Sequence, residues 1–557
     1  MKRITFLALF CLMLLPGLSP AEELYEYQLN RGIRNSDVYS SFLLQEARSD
    51  RVQAIALLSE ANKYSPDLPA VYFSLAKEKF SLSSAGILAS VDYVIAGIDA
   101  YERNFWWSFS LAGGVFYSLV LSFILVMLII AAIRSISDLP LISHEVIESK
   151  QNIFPLIALF LVSLISPLLF LAGILVILGL YMSRMDKFVV YLFLITLLCS
   201  PILFRAASLI MQVASSGEMK AMVAVNESRD NTYAFTSLKD RAEPAALFSY
   251  ALALKRAGLY DEALTVYHRL LRLNPDTQAS AYVNIGNVYV GLNNMEEALQ
   301  SYQRAVNLRP LASAYYNLSA VSRELLDYEK GNEYYRKALE IDRDAVSRYQ
   351  AVAARTPNRI VADETLSYRA LWNLATKTGG TTSTFDLVAL PVWANTFAAC
   401  VLIIAFYYLS TTSRTKAYRC RRCNSIFCPH CEQHIMWGQM CSRCFRSLVK
   451  LDETEVKERV ARLISIYEHQ KRRRGIMRML SFLLPGASQI FGGRVLYGLL
   501  LMWPFLFLLL LPFTNAYLSS GPLISHWVVN SFSLLFAACI YVISNIFTRQ
   551  RIAKGWL

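Results

Sequence analysis

Residues 279–310 read ASAYVNIGNVYVGLNNMEEALQSYQRAVNLRP. The small residues Gly286 and Ala298 would let two consecutive helices approach closely, and large aromatic side chains would fill the gaps between neighbours. These aromatic residues are Tyr282, Tyr289 and Tyr302. A pair of helices with this pattern buries its remaining face only by stacking on a further pair. The stretch therefore predicts one unit of a helical array.

The pattern recurs on both sides of this unit. A small residue stands at Ala263, Ala298 and Gly331, in steps of 35 and then 33 residues. The spacing and the residue pattern resemble the tetratricopeptide repeat, whose unit is about 34 residues long. The resemblance covers roughly 243–345, within a soluble region that we place at 212–386. It implies an α-solenoid with a concave groove, which in this family holds a peptide or a partner helix.

The resemblance also indicates which residues could bind a partner protein. Four polar residues lie on the first helices of the predicted repeats and could point into the groove. They are Asn284, Asn287, Asn317 and Arg323. The alternative is that these side chains form solvated surface.

Six of the ten cysteines form three Cys-x-x-Cys pairs within residues 414–450. They are Cys420, Cys423, Cys428, Cys431, Cys441 and Cys444. Two such pairs can place four thiolates tetrahedrally around one zinc ion. By resemblance to zinc ribbons and cross-braced fingers, we favour the first and third pairs as the zinc ligands. The middle pair would need His430 or His434 to build a second site, and disulfides in an exported segment remain the alternative.

Charge around the cysteines indicates the compartment. Between Arg414 and Arg474 there are 15 Lys or Arg residues and 6 Asp or Glu residues. Such an excess beside membrane spans marks the cytoplasmic side, where thiols stay reduced. The segment ends in a predicted amphipathic helix, 451–475, whose basic end would contact anionic lipids. That end consists of Lys471, Arg472, Arg473 and Arg474. Nucleic acid is the less favoured anionic partner for these basic residues.

The composition is that of a multi-span membrane protein with soluble parts. Hydrophobic residues make up 55% of the 557 residues and charged residues 17%. The fold class is therefore mainly α. Apolar runs predict transmembrane segments at 106–134, 153–211 (a hairpin plus a span), 387–409, 476–518 (a membrane-hairpin motif and a span) and 524–547. The remaining segments are a secretory signal at 1–21, a helical, repeat-like region at 22–105, and a cytoplasmic tail at 548–557.

The topology depends on residues 153–181. One long helix there would place the predicted repeats in the cytoplasm, whereas a hairpin broken near Pro167 would place them outside. The single span 387–409 separates the repeats from the cysteines, so the two regions lie on opposite sides. A cytoplasmic finger therefore implies periplasmic repeats, in the inner membrane of a bacterium. The combination of repeats, spans and finger resembles bacterial inner-membrane proteins.

The sequence has no nucleophile motif, no phosphate-binding glycine loop and no His-Glu metal box, and intramembrane charge is nearly absent. We therefore expect no enzymatic activity and no small-molecule substrate. The predicted function is a scaffold that binds partner proteins through its repeats during assembly or maintenance of a cell-envelope complex. Two alternatives are a signalling receptor whose finger contacts protein or nucleic acid, and a subunit of a transporter or enzyme.

Overall fold

We describe the protein from a computed structural model. It covers residues 20–149, 157, 166–229, 232–273, 278–353, 361–378, 392–412, 417–420, 422–427, 441–448, 456–518 and 526–554. These residues are mostly helical and form two compact units. The first unit contains the described residues up to Phe109 and between Gln212 and Gly379. The second contains the described residues between Ser110 and Met211 and most of those from Gly380 onward.

The first unit begins with helices that pack against one another in chain order. Their bounds are Pro20–Asn30, Asp37–Ser49, Ala54–Tyr64, Pro69–Lys79 and Ser84–Glu102. Leu58, Ala61, Val71 and Leu75 are buried in the core between them. Ala61 is completely buried, and the hydroxyl of Ser40 on the preceding helix donates to its carbonyl oxygen at 3.0 Å, so the two helices approach closely there. The repeat-like character of residues 22–105 stays a prediction.

The rest of the first unit is a longer array of helices. Their bounds are Gly217–Asn226, Ala234–Ser237, Pro244–Arg256, Tyr260–Leu273, Gln278–Gly291, Met295–Leu308, Ala312–Glu324, Tyr328–Ile341, Arg343–Ala353 and Tyr368–Thr378. The turn inside each of three helix pairs has a residue with positive φ, at Gly258, Asn293 and Leu326. At two of these turns an Asn or Asp side chain caps the next helix, because Asn294 accepts from the N–H of Glu297 and Asp327 accepts from that of Lys330.

Close packing within a pair depends on Gly286. A Cβ atom at this position would lie 2.4 Å from Cε1 of Tyr302, which is itself completely buried. Tyr302 therefore occupies the space that any larger residue at position 286 would need. The prediction that a small residue here lets the two helices approach is confirmed.

A buried ionic cluster joins the N-terminal helices to the helix Gly217–Asn226 within the first unit. Arg229 contacts the carboxylates of both Asp37 and Glu227, and its Nε lies 2.8 Å from Oε2 of Glu227. The other oxygen of Glu227 accepts from the N–H of Phe105. Next to them, the main-chain N–H of Asn35 donates to the carbonyl of Ser228 at 3.1 Å. Two carboxylates thus share one guanidinium, and burial raises the pKa of Glu227 to about 8.

The second unit is a set of helices, most of them apolar, with one small β-hairpin. It contains the long helix Phe105–Ser149 from Ser110 onward. Its other elements are the helices Pro167–Gly179, Lys187–Leu198, Ser200–Ser215, Val392–Thr412, Ser442–Leu448, Val456–Leu483, Ala487–Phe491, Val495–Leu518 and Trp527–Ala553, and the strands Tyr418–Arg419 and Ile426–Phe427. Among the described residues, four helices are long and apolar enough to cross a membrane, or five if one bent pair counts as a span.

These helices overlap the predicted spans, and the ambiguous region 153–181 is partly described. Ser166 has an extended backbone with φ −148° and ψ 153°, and a helix begins immediately after it at Pro167. The bent pair, with an angle of 56° between its helices, follows at Lys187–Leu198 and Ser200–Ser215. The first arm of the predicted hairpin lies outside the described residues apart from residue 157. The hairpin therefore stays a prediction.

The predicted membrane-hairpin motif forms a tight reversal in the second unit. Gly486 has φ +88°, and a Cβ atom there would lie 2.3 Å from the carbonyl oxygen of Gly498. Only glycine fits this close approach of two backbones. Within the short helix Ala487–Phe491, the side chain of Gln489 donates to Oγ1 of Thr548 at 2.7 Å. Gln489 is thus a helix-packing residue.

Candidate functional site

An extended stretch of the chain, residues 361–366, lies against the first helices of the repeats. We call it the groove segment. Asn317 binds both main-chain groups of Ala362 in this segment. Its Nδ2 donates to the carbonyl oxygen at 2.9 Å, and its Oδ1 accepts from the N–H at 2.7 Å. Asn284 holds Glu364 in the same way, with both distances 2.9 Å. Asn226 accepts from the N–H of Leu366 at 2.7 Å.

These contacts fall on every second residue of the groove segment. Alternate residues of an extended chain present their main-chain groups to the same side, so one row of amide side chains can bind them all. An Asn amide has both donors and an acceptor, which matches the N–H and C=O of a single residue. The asparagine row therefore recognises an extended main chain without regard to its side chains.

A third asparagine of the repeats, Asn287, links the row together. Its Nδ2 lies 2.9 Å from the carbonyl oxygen of Ala362 and 3.0 Å from Oδ1 of Asp363. Its Oδ1 accepts from the hydroxyl of Tyr302 at 2.7 Å and from Nδ2 of Asn317 at 2.8 Å. Burial raises the pKa of Tyr302 well above its ordinary value, so its hydroxyl stays a donor. A buried polar network with all partners present fixes the geometry of the groove.

The groove also recognises two acidic side chains. Asp363 contacts Nζ of Lys255, and its Oδ2 lies 3.3 Å from Nε of Arg256. All three of these side chains are at least nine-tenths buried. Glu364 accepts instead from two hydroxyls, that of Ser280 at 3.0 Å and that of Ser313 at 2.5 Å. Main-chain contacts thus set the register, and the cations and hydroxyls select an acidic pair.

The sequence-predicted groove residues have different positions. Asn284, Asn287 and Asn317 are at most 1% exposed, so they are not solvated surface. All three contact the protein's own groove segment, and their role in binding a partner protein stays a prediction. Arg323 is exposed, donates to Asn332 and lies over the ring of Tyr335, so it is apart from these contacts.

The cysteines of the first and third pairs lie together in the second unit. Cys420 and Cys423 lie in the turn of the hairpin formed by Tyr418–Arg419 and Ile426–Phe427. The turn is tight because the N–H of Cys420 donates to Ser425 and its carbonyl accepts from Asn424. Cys441 and Cys444 stand at the start of the helix Ser442–Leu448. The middle pair, Cys428 and Cys431, and the histidines His430 and His434 lie outside the described residues.

The geometry of this quartet fits a metal ion. The four Sγ atoms lie within 4.8 Å of one another, and those of Cys423 and Cys441 are 3.8 Å apart. Tetrahedral zinc with bonds of about 2.3 Å separates its sulfur ligands by about 3.8 Å. Main-chain N–H groups donate to the sulfurs of Cys420 and Cys441 at 3.4 and 3.3 Å, as they would to thiolates. The described cysteines are all free thiols, and four of them could hold a metal ion.

The thiol pKa values explain why the quartet needs a cation to ionise fully. Burial raises the pKa of Cys441 to about 11 and that of Cys444 still further. Burial acts in the same direction on Cys423, but hydrogen bonds with Ser425 and with the thiols of Cys420 and Cys444 lower its pKa to about 7. A bound dication would stabilise all four thiolates and would release their protons on binding.

The predicted lipid-binding residues lie on the helix Val456–Leu483. Lys471, Arg472 and Arg474 are exposed, and Arg473 is half-buried. The predicted apolar face of this helix is exposed as well, for example at Val456 and Tyr467. The helix therefore presents both an apolar stripe and a basic end, the combination found in helices that lie on membrane surfaces.

Comparison with protein-family models finds tetratricopeptide repeats in two adjoining stretches, residues 243–310 and residues 312–344. These stretches contain the three helix pairs and the asparagines Asn284, Asn287 and Asn317. The groove segment lies beyond them. Repeats of this class bind other proteins on their concave surface. The chain therefore contains a tetratricopeptide-repeat domain, and its repeats are a protein-interaction element.

Proposed function

We propose that the protein is a non-enzymatic membrane scaffold whose repeat groove binds an extended, acidic segment of a partner protein. The observation that carries this proposal is the row of asparagine amides on alternate residues of the groove segment. A groove that holds one extended chain by its main chain can hold another of similar side-chain pattern. The groove segment then acts as the competitor that a partner must displace.

The membrane helices connect this activity to a second compartment. In the proposal the repeats lie in the periplasm and the cysteine quartet lies in the cytoplasm of a bacterium. The excess of basic residues around the cysteines supports this orientation. Four thiolates in tetrahedral reach of one another suit zinc best, and because cysteine would take all four coordination positions, the role of the zinc is structural. Capture of the partner would serve assembly or maintenance of a cell-envelope complex.

The groove is tested with its own segment supplied as a separate peptide. Residues 361–366 are replaced by glycine and serine in the full-length protein to open the groove, and binding of a fluorescent VADETL peptide is measured by polarisation. We expect binding to the opened protein and at least about tenfold weaker binding to the wild type. Adding Asn284→Ala and Asn317→Ala should abolish binding, whereas the exposed Asn332→Ala should not.

An opened protein that keeps its helical circular dichroism but does not bind the peptide would contradict the groove assignment. A peptide with Asn and Gln in place of Asp and Glu separates charge recognition from main-chain recognition. Crosslinking in native membranes then tests the biological role. A partner should crosslink more strongly to the opened protein and should be lost when the asparagines are replaced.

The orientation is tested separately. Gln303 is exposed on a second helix of the repeats, so Gln303→Cys is a site for a membrane-impermeant maleimide. We expect labelling above the wild-type background once the outer membrane is permeabilised, with the inner membrane intact. Labelling that requires disruption of the inner membrane would place the repeats in the cytoplasm and would favour the single-helix interpretation of residues 153–181.

A further inference from the structure

The second unit contains a cavity of about 570 Å³ with basic walls. Its walls come from the long helix Phe105–Ser149, the cysteine hairpin, the helix Val456–Leu483 and the glycines Gly492 and Gly493. We call it the basic cavity. Its charged and titratable residues other than cysteine are Arg134, Asp138, Tyr181, Arg419, His469, Arg472 and Arg473.

The basic cavity has an excess of positive charge. Four guanidinium groups face one carboxylate, that of Asp138, which is paired with Arg134 at 2.5 Å. The remaining arginines come from two different elements, Arg419 from the cysteine hairpin and Arg472 and Arg473 from the helix. Like charges held around a partly enclosed space repel one another less when an anion lies between them.

Two of these arginines also have buried N–H groups without an acceptor. Arg134 is only 7% exposed, and its Nε has no hydrogen-bond partner among the described residues. Arg419 donates through Nη2 to the carbonyl of Ser137, while its Nε is buried and likewise without a described partner. A buried donor without an acceptor is unfavourable, so an anion beside these two guanidinium groups would offset a cost that the described residues leave uncompensated.

The arrangement fits a phosphate better than a carboxylate. A carboxylate has two oxygens in one plane, whereas a phosphate presents oxygens in several directions and can accept from guanidinium groups on separate walls. Gly492 and Gly493 line the cavity without a side chain, and Gly493 lies beside Arg134, since a Cβ at Gly493 would lie 3.7 Å from Nη1 of Arg134. The cavity is therefore large enough and open enough for a phosphate-bearing group.

We propose that the basic cavity binds the phosphate of an anionic phospholipid headgroup. The choice of a lipid, rather than a soluble molecule, as the carrier of the phosphate rests on the membrane placement proposed above. Residues 105–133 contain no charged residue, and Arg134 is the first charge after them, so the cavity borders an apolar helical stretch long enough to span. Phosphate headgroups lie at that depth. The proposal is narrower than general attraction of Lys471–Arg474 to lipids, because only Arg472 and Arg473 of these four line the cavity.

The test compares two charge-matched double variants of the full-length protein. Arg472→Gln with Arg473→Gln removes cavity residues, and Lys471→Gln with Arg474→Gln removes the same charge from the same helix outside the cavity. Each protein is purified in detergent, exposed to phosphatidylglycerol, washed, and analysed by native mass spectrometry. We expect the cavity variant to retain about tenfold less phosphatidylglycerol, while the outer variant retains the wild-type amount.

Equal losses in the two variants would overturn the proposal in favour of general surface charge. Metal content and helical circular dichroism establish that each variant is folded. A second arm titrates the delipidated wild type with inorganic phosphate by calorimetry. Saturable phosphate binding that requires Arg472 and Arg473, without retained phospholipid, would keep the phosphate site and assign it to a soluble ligand. Binding of neither probe to the folded wild type would also overturn it. Because the assay uses purified protein, it is independent of the groove and of the orientation.

Discussion

Asn284 binds Glu364 by both of its main-chain groups, and Asn317 binds Ala362, two residues earlier, in the same way. The two asparagines are separated by 33 positions, one repeat. One repeat therefore advances the bound chain by two residues, and the groove segment runs in the direction opposite to the order of the repeats. The spacing between successive repeats thus matches the two-residue period of an extended chain, so a partner segment would bind in a defined register.

We expect Asn284→Ala to release the groove segment locally. The substitution removes two hydrogen bonds and leaves the N–H and carbonyl of Glu364 without these partners, which costs about 2–3 kcal/mol. Hydrogen–deuterium exchange of the full-length protein should show lost protection in residues 361–366, with the repeat helices still protected. Asn332→Ala, an exposed asparagine of the same domain, is the control. Unchanged exchange in Asn284→Ala would mean that the segment is held mainly by its side chains.

The two acidic residues of the groove segment should differ in importance. Asp363→Asn removes the carboxylate that lies against the buried Lys255 and Arg256, and loss of one partner of a buried ion pair costs about 3 kcal/mol or more. Glu364→Gln keeps an acceptor for the hydroxyls of Ser280 and Ser313 and should cost under about 1 kcal/mol. Limited proteolysis should cleave the segment faster in Asp363→Asn. Equal rates for the two variants would show that charge contributes little.

The sequence predicts the repeat helices that form the groove but not the segment that occupies it. The spacing of small residues such as Ala298 identifies the repeats, because each small residue is required by the close packing within a single helix pair. Residues 361–366 have no periodicity of their own, and their contacts reach 140 positions back to Asn226. The one feature of the sequence that marks this segment is its pair of adjacent acidic residues. The cysteine quartet can be predicted from the sequence, because the two members of each Cys-x-x-Cys pair lie only three positions apart. Arg134 and Arg419 of the basic cavity are far apart in sequence, and nothing in the sequence connects them.

Gly286→Ala should destabilise the repeats. Its Cβ would overlap the ring of Tyr302, and overpacking of this kind costs about 1–3 kcal/mol. Gly217→Ala is the matched control, because a Cβ at this exposed position would meet only Oγ of Ser237 at 3.9 Å. Thermal unfolding of the detergent-solubilised protein, followed by circular dichroism, should show a lower Tm for Gly286→Ala alone. A Tm equal to that of the control would mean that Tyr302 can move aside.

Replacing one ligand of the cysteine quartet should release the metal. Cys441→Ser leaves three thiolates for the ion, and we expect zinc per chain, measured by mass spectrometry of the metal, to fall severalfold. Protection of the helix Ser442–Leu448 against hydrogen exchange should fall as well, because a metal ion bound by all four cysteines would hold this helix to the hairpin. Cys199→Ser, at an exposed cysteine outside the quartet, should change neither quantity. Unchanged zinc in Cys441→Ser would show that the quartet is not the metal site.

The ionic cluster around Glu227 should make the first unit sensitive to pH. The pKa of Glu227 is raised from its ordinary value of 4.5 to about 8, mainly by burial. The folded protein therefore keeps a proton that the unfolded chain releases above about pH 4.5. Its contribution to stability is complete below that pH, falls as pH rises toward 8, and then levels off.

Glu227→Gln should remove this dependence, because the amide oxygen can still accept from the N–H of Phe105 but no longer titrates. The readout is hydrogen exchange of the segment around Asn35, whose N–H donates to the carbonyl of Ser228 beside the cluster. After correction for the intrinsic exchange rate, protection should fall between pH 5 and pH 8 in the wild type, by up to about 1.4 kcal/mol per pH unit, and stay level in the variant. The opposite slope in the wild type would mean that Arg229 holds Glu227 ionised despite its burial.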